Sequence, residues 1–62
     1  MEIKKQDQKK YARLWYEDRG INVRDEGEDT LLIQVQEYWV EISDLEQYYR
    51  AELWMEENDL LS

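Results

Sequence analysis

The chain reads as an α+β fold. It is a three-stranded antiparallel meander flanked by N- and C-terminal helices, in the order α-β-β-β-α, with both helices on one sheet face. Three observations predict it. Residues 30–42, TLLIQVQEYWVEI, form the most apolar run, are rich in strand-formers and alternate with period two. The segments on either side space their apolar residues at helical intervals. The tetrad Ser43-Asp44-Leu45-Glu46 carries the signature of a helix start.

In the central run Leu31, Ile33 and Val35 share one parity, while Tyr38, Val40 and Ile42 share the other. The phase flips once, at Gln36-Glu37. A two-residue hairpin loop there puts 35 opposite 38, 33 opposite 40 and 31 opposite 42, with all six side chains on one face. Gln-Glu lacks the Gly or Asn that primed turns favour, so a bulge or a wider loop of the same parity is the alternative.

Residues 4–19 read as the first helix. Tyr11, Leu14 and Trp15 form its apolar side, with Ile3 before them, and Lys9, Lys10, Arg13 and Glu17 its solvated side. Gly20 fits a left-handed C′ position, which places Ile21 against Tyr16 in a Schellman ending. Residues 21–24 read as a first strand, and residues 25–29, DEGED, as a turn centred on Gly27. Ile21 and Val23 then lie beside Ile33 and Leu31. The inner face carries these residues with Val35, Tyr38, Val40 and Ile42. The outer face carries Asn22, Arg24, Thr30, Leu32, Gln34, Trp39 and Glu41.

Ser43 as N-cap and Glu46 at N3 make a capping box, with Asp44 adding favourable charge to the first turn. The second helix runs to about Asn58. It has two apolar ridges, Leu45-Tyr49-Leu53 and Tyr48-Ala51-Met55, and Trp54 points away from both. One helix face cannot bury both ridges against three strands. Either one stays exposed, or another chain covers it.

The 62 residues are expected to make a single domain, residues 1–62, with a small core. The absence of Cys and Pro excludes disulfide and thiolate-metal staples. No signal-peptide h-region and no membrane-spanning run is present, so the expected setting is the cytoplasm, without a membrane partner. There is no His and no Cys, with only two Ser and one Thr, in a chain too short to wall off a pocket. The expectation is no enzyme and no cofactor. The acidic turn fails EF-hand spacing: with Gly27 at the sixth position, the first is Asn22 and the twelfth Ile33. No metal site is expected.

Charge is the unusual feature. The net charge is −8, and it is unevenly laid out. Residues 1–24 hold seven Lys/Arg against four Asp/Glu, a net of +3, while residues 25–62 hold one against twelve, a net of −11. Acids repel phosphates, so direct nucleic-acid binding is disfavoured. The acidic half is instead expected to contact a basic, nucleic-acid-handling protein through Glu26, Glu28, Asp29, Glu37, Glu41, Glu52, Glu56, Glu57 and Asp59. Trp39 and Trp54 would serve as apolar anchors.

In size, acidity and lack of catalytic residues the chain is similar to small virus-encoded host-takeover proteins: DNA mimics, anti-restriction and anti-CRISPR proteins. The resemblance implies a stoichiometric inhibitor acting in a host cytoplasm, and it rests on no motif, so no residue roles come with it. The alternatives are an antitoxin-like or regulatory partner of a basic protein, and a self-associating structural protein forming a homodimer.

Overall fold

A computed structural model describes residues 3–60. Its elements run α1 (Lys5–Asp18), β1 (Val23–Asp25), β2 (Leu31–Val35), β3 (Tyr38–Ile42) and α2 (Asp44–Glu57). The strands form one antiparallel sheet in the order β1-β2-β3. The mixed α-β-β-β-α architecture is the one that the apolar periodicities predict.

The β2-β3 hairpin closes on Gln36-Glu37. Val35 pairs with Tyr38, Ile33 with Val40 and Leu31 with Ile42. Gln36 takes up the left-handed conformation itself, with φ of +59°. β1 departs from expectation. Val23 pairs with Ile33 and Asp25 with Leu31, a shift of two residues that preserves parity. The loop therefore spans residues 26–30 and centres on Glu28 rather than Gly27, and Asp25 joins the inner face. At the shifted position the Lys9 ammonium pairs with the Asp25 carboxylate and donates to the Gly27 carbonyl. That contact also holds the Asp25 carboxyl below the usual carboxylate range.

Ile21 lies outside the strand because it ends α1. The Ile21 N–H donates to the Tyr16 carbonyl and the Gly20 N–H to the Glu17 carbonyl, both at 3.0 Å, with Gly20 at φ +76°. This is the Schellman ending that Gly20 predicts. α2 ends in the same way without a glycine. Leu60 N–H reaches the Met55 carbonyl at 2.7 Å, and Asp59 carries φ of +59°.

At the start of α2 the Ser43 hydroxyl accepts from the Glu46 N–H at 3.1 Å. Glu46 does not complete the reciprocal half of the box. Its carboxylate accepts instead from the Tyr16 hydroxyl at 3.0 Å and from Arg50 Nε at 2.6 Å. Ser43→Ala should still cost about 1 kcal/mol, read as a lower denaturant midpoint at unchanged slope.

The two helices pack more extensively on each other than on the sheet. Each buries a stripe of period four, Gln8-Ala12-Tyr16 on α1 and Gln47-Ala51-Met55 on α2. Ala12 and Ala51, at the middle of each stripe, are fully buried and permit close approach. Tyr11 and Trp15 flank the α1 stripe rather than forming its centre. Two amides in this interface bond to backbone. Gln47 Nε2 donates to the Asp29 and Ile42 carbonyls, both at 3.2 Å, and Gln8 Nε2 to the Asp44 carbonyl at 3.2 Å.

The sheet contributes only its base to this core. Leu31 and Ile42 are buried, and Val23 and Ile33 pack against them in part. Val35, Tyr38 and Val40 remain 47%, 70% and 45% exposed. The expectation that Val35 and Val40 lie under the helices is corrected here: each helix spends its buried stripe on the other, and the hairpin runs on past them. The resulting body is long and thin, 38 × 22 × 14 Å.

Candidate functional site

The acidic loop between β1 and β2 is not a free anionic patch. Asp25 is held by Lys9 and lies 4.0 Å from Arg13, Glu26 lies 3.6 Å from Arg24, and Asp29 lies 3.9 Å from Lys5. Glu28 shares a shallow depression with Lys4, Lys5, Gln6 and Asp29. Glu57 is likewise spoken for, 2.5 Å from Arg19. Lys5, Lys9, Arg13, Arg19, Arg24 and Arg50 each lie within ion-pair distance of a carboxylate. The +3 and −11 halves therefore neutralise each other where they touch. Exposed pairs of this kind add little stability, but they reduce the charge contrast that the sequence suggests.

Glu37 sits exposed at the hairpin tip. Trp39 and Glu41 lie on the outer sheet face, where the Arg24 guanidinium covers the Trp39 ring at 4.4 Å. Trp39 is still partly open to solvent. Trp54 is not an outward anchor. Its ring stacks on Tyr11 with centroids 5.1 Å apart, and its indole N–H donates to Asp18 at 2.8 Å. It is packing between the helices, set there because Tyr11 stands across the helix pair from it. Asp59 is exposed at the end of α2.

What remains is the outer face of α2. Leu45, Tyr49, Glu52 and Glu56 follow one another at spacings of four, three and four residues, which places them on a single stripe opposite the buried one. Leu45 is 81% exposed and Tyr49 51%. Glu52 and Glu56 are exposed, and among the described residues neither forms an ion pair. This is the apolar ridge of the second helix left uncovered, bordered by two carboxylates on successive turns. Leu45 and Tyr49 are the site residues that charge counting passes over. The signal for them was the surplus of apolar ridges on that helix.

The other polar cluster is structural. Arg50 lies over the Trp15 ring at 4.3 Å and donates to both Glu46 and the Tyr16 hydroxyl. Burial pushes the Tyr16 hydroxyl up, with Glu46 adding to it. Tyr16, Glu46 and Arg50 line an open depression with Ile33, Val40 and Ile42. Arg50 Nε, Glu46 Oε2 and the Tyr16 hydroxyl are bonded to one another.

Among the described residues no group of three acids is placed to hold a metal ion, and no helix is long and apolar enough to cross a membrane. Comparison with protein-family models, with curated proteins and with solved structures returned no match.

Proposed function

We propose that the protein is a stoichiometric inhibitor that docks the outer face of α2 on a basic surface of a larger nucleic-acid-handling protein and blocks that surface by occupancy. One observation supports the reading above the rest: two exposed apolar side chains, Leu45 and Tyr49, in line with two carboxylates, Glu52 and Glu56, that are unpaired among the described residues. Solubility explains the acids but not an 81% exposed leucine beside them. Charge steers the encounter, and the apolar pair then fixes the complex. Tyr49 is the natural anchor, since tyrosine brings large area and a polar tip at small entropic cost. Action of this kind is that of the DNA-mimic type of protein.

The test is binding kinetics against a partner captured from a bacterial lysate, at low and high salt. Glu52→Lys with Glu56→Lys should slow association by about tenfold at low ionic strength. The difference should fade as the screening length falls from ~30 Å at 0.01 M to ~3 Å at 1 M. Tyr49→Ala should leave association nearly unchanged and raise the dissociation rate by about tenfold. An association rate indifferent to both salt and charge reversal would reject the proposal.

A further inference from the structure

The two edges of the sheet are built differently. β1 is three residues long and carries Arg24 and Asp25, the latter clamped by Lys9. Short, charged edges resist pairing. β3 is five residues long, and its one charge is Glu41. It has no lysine, no proline and no break in its register with β2. Its own Tyr38 and Val40 are exposed, as is Val35 on the neighbouring strand. An unprotected apolar edge of this kind is a template for another strand.

The register says which backbone groups are free. A two-residue loop makes Val35 and Tyr38 a hydrogen-bonded pair, and alternation makes Ile33–Val40 and Leu31–Ile42 the next ones. The N–H and C=O groups of Trp39 and Glu41 therefore point out of the free edge.

We propose that β3 pairs antiparallel with β3 of a second copy of this chain, across a two-fold axis at Val40, joining two three-stranded sheets into one of six strands. The strand's own sequence chooses both the occupant and the register. Three registers bring the outward groups of Trp39 and Glu41 opposite those of another copy. Centring on Trp39 sets Glu37 against Glu41 of the second copy. Centring on Glu41 sets the two Glu41 side chains against each other. Like charges directly opposed destabilise a pair. Centring on Val40 sets Val40 against Val40, Tyr38 against Ile42, and Trp39 against Glu41, with no like charges opposed. The strand is thus complementary to itself in one register. A row of Tyr38, Val40 and Ile42 side chains then runs unbroken across the axis on the inner face.

Each copy carries a net charge of −8, so long-range repulsion opposes the pairing. Salt should therefore strengthen self-association, the opposite of its effect on steering by α2. The inference does not rest on the α2 proposal, and the two fail separately, because Glu52 and Glu56 lie outside β3.

The experiment is sedimentation equilibrium of the full chain over about a hundredfold range of concentration, at low and high salt, with amide exchange read residue by residue. The wild type should rise from 7.7 kDa toward twice that mass, more readily at high salt. The Trp39 and Glu41 amides should become protected as it does. Val40→Asp opposes two carboxylates on the axis and should weaken the dimer by at least about tenfold. Glu41→Pro removes an outward donor while sparing the β2 ladder, and should do the same. If Val40→Asp does not fold, Glu41→Pro and the wild-type amides decide. A mass that stays at 7.7 kDa throughout overturns the proposal. So does a dimer whose Trp39 and Glu41 amides exchange as freely as in the monomer, or one that the folded variants leave intact.

Discussion

Gln47→Ala is expected to lower the unfolding free energy by about 2–4 kcal/mol, against a total of roughly 3–9 kcal/mol for a chain of this length. Gln47 is 1% exposed and is, with Leu31, one of the two largest fully buried side chains. Its amide closes three elements on one another, because it bonds the carbonyl of Asp29 in the β1-β2 loop and that of Ile42 at the end of β3. Alanine leaves both carbonyls without a donor and opens a cavity between the helices and the sheet base. Gln47→Met separates the two effects, since it fills the space without restoring the amide. Methionine should recover part of the loss but not all of it. Chemical denaturation followed by circular dichroism measures both variants. A midpoint unchanged by alanine would show that the amide bonds are not what joins the loop to α2.

Leu31→Ala should cost about 3–4 kcal/mol, whereas Val40→Asp should leave a cooperative unfolding transition in the monomer. The two residues sit on the same sheet face, but Leu31 is fully buried and Val40 is 45% exposed. A charge at a half-open position keeps its water and avoids the burial penalty that the sequence pattern assigns to Val40. Thermal melts at low protein concentration, where any dimer is dissociated, read this contrast directly. If Val40→Asp unfolded the chain while Leu31→Ala did not, the core would lie at the other end of the hairpin.

The local features were legible because each depends on nearest neighbours. A parity flip at Gln36-Glu37 can be satisfied by few turns, and the two-residue loop is the one adopted. Gly20 and Ile21 form the ending that their types favour, and Ser43 caps α2. The illegible features depend on what packs against what. Nothing in the neighbourhood of Gln8 or Gln47 along the chain announces a waiting carbonyl. The shift of β1 by two residues keeps every parity, so hydrophobic alternation cannot detect it; the Lys9–Asp25 ion pair does.

Burial of the helix stripes in each other also decided the rest. It left Val35 and Val40 open and drew Trp54 inward onto Tyr11. It selected Tyr48-Ala51-Met55 as the inner ridge of α2 and turned Leu45 and Tyr49 outward. Of the site residues chosen from charge, Glu52 and Glu56 stand on that outer stripe, while Glu26, Asp29 and Glu57 are tied to cations of the same chain. Counting charge along a sequence cannot tell a paired acid from a free one.

The most direct measurement of the proposed function is competition. A labelled oligonucleotide is bound to the captured partner, and the protein is titrated in at concentrations well above its dissociation constant. Occupancy of the basic surface predicts complete displacement with an end point near one protein per partner site, and at low salt a displacement slower by about tenfold for the variant carrying Glu52→Lys and Glu56→Lys. A ternary complex that retains its oligonucleotide, or displacement at low salt that is equally fast with the charge-reversed variant, would contradict it.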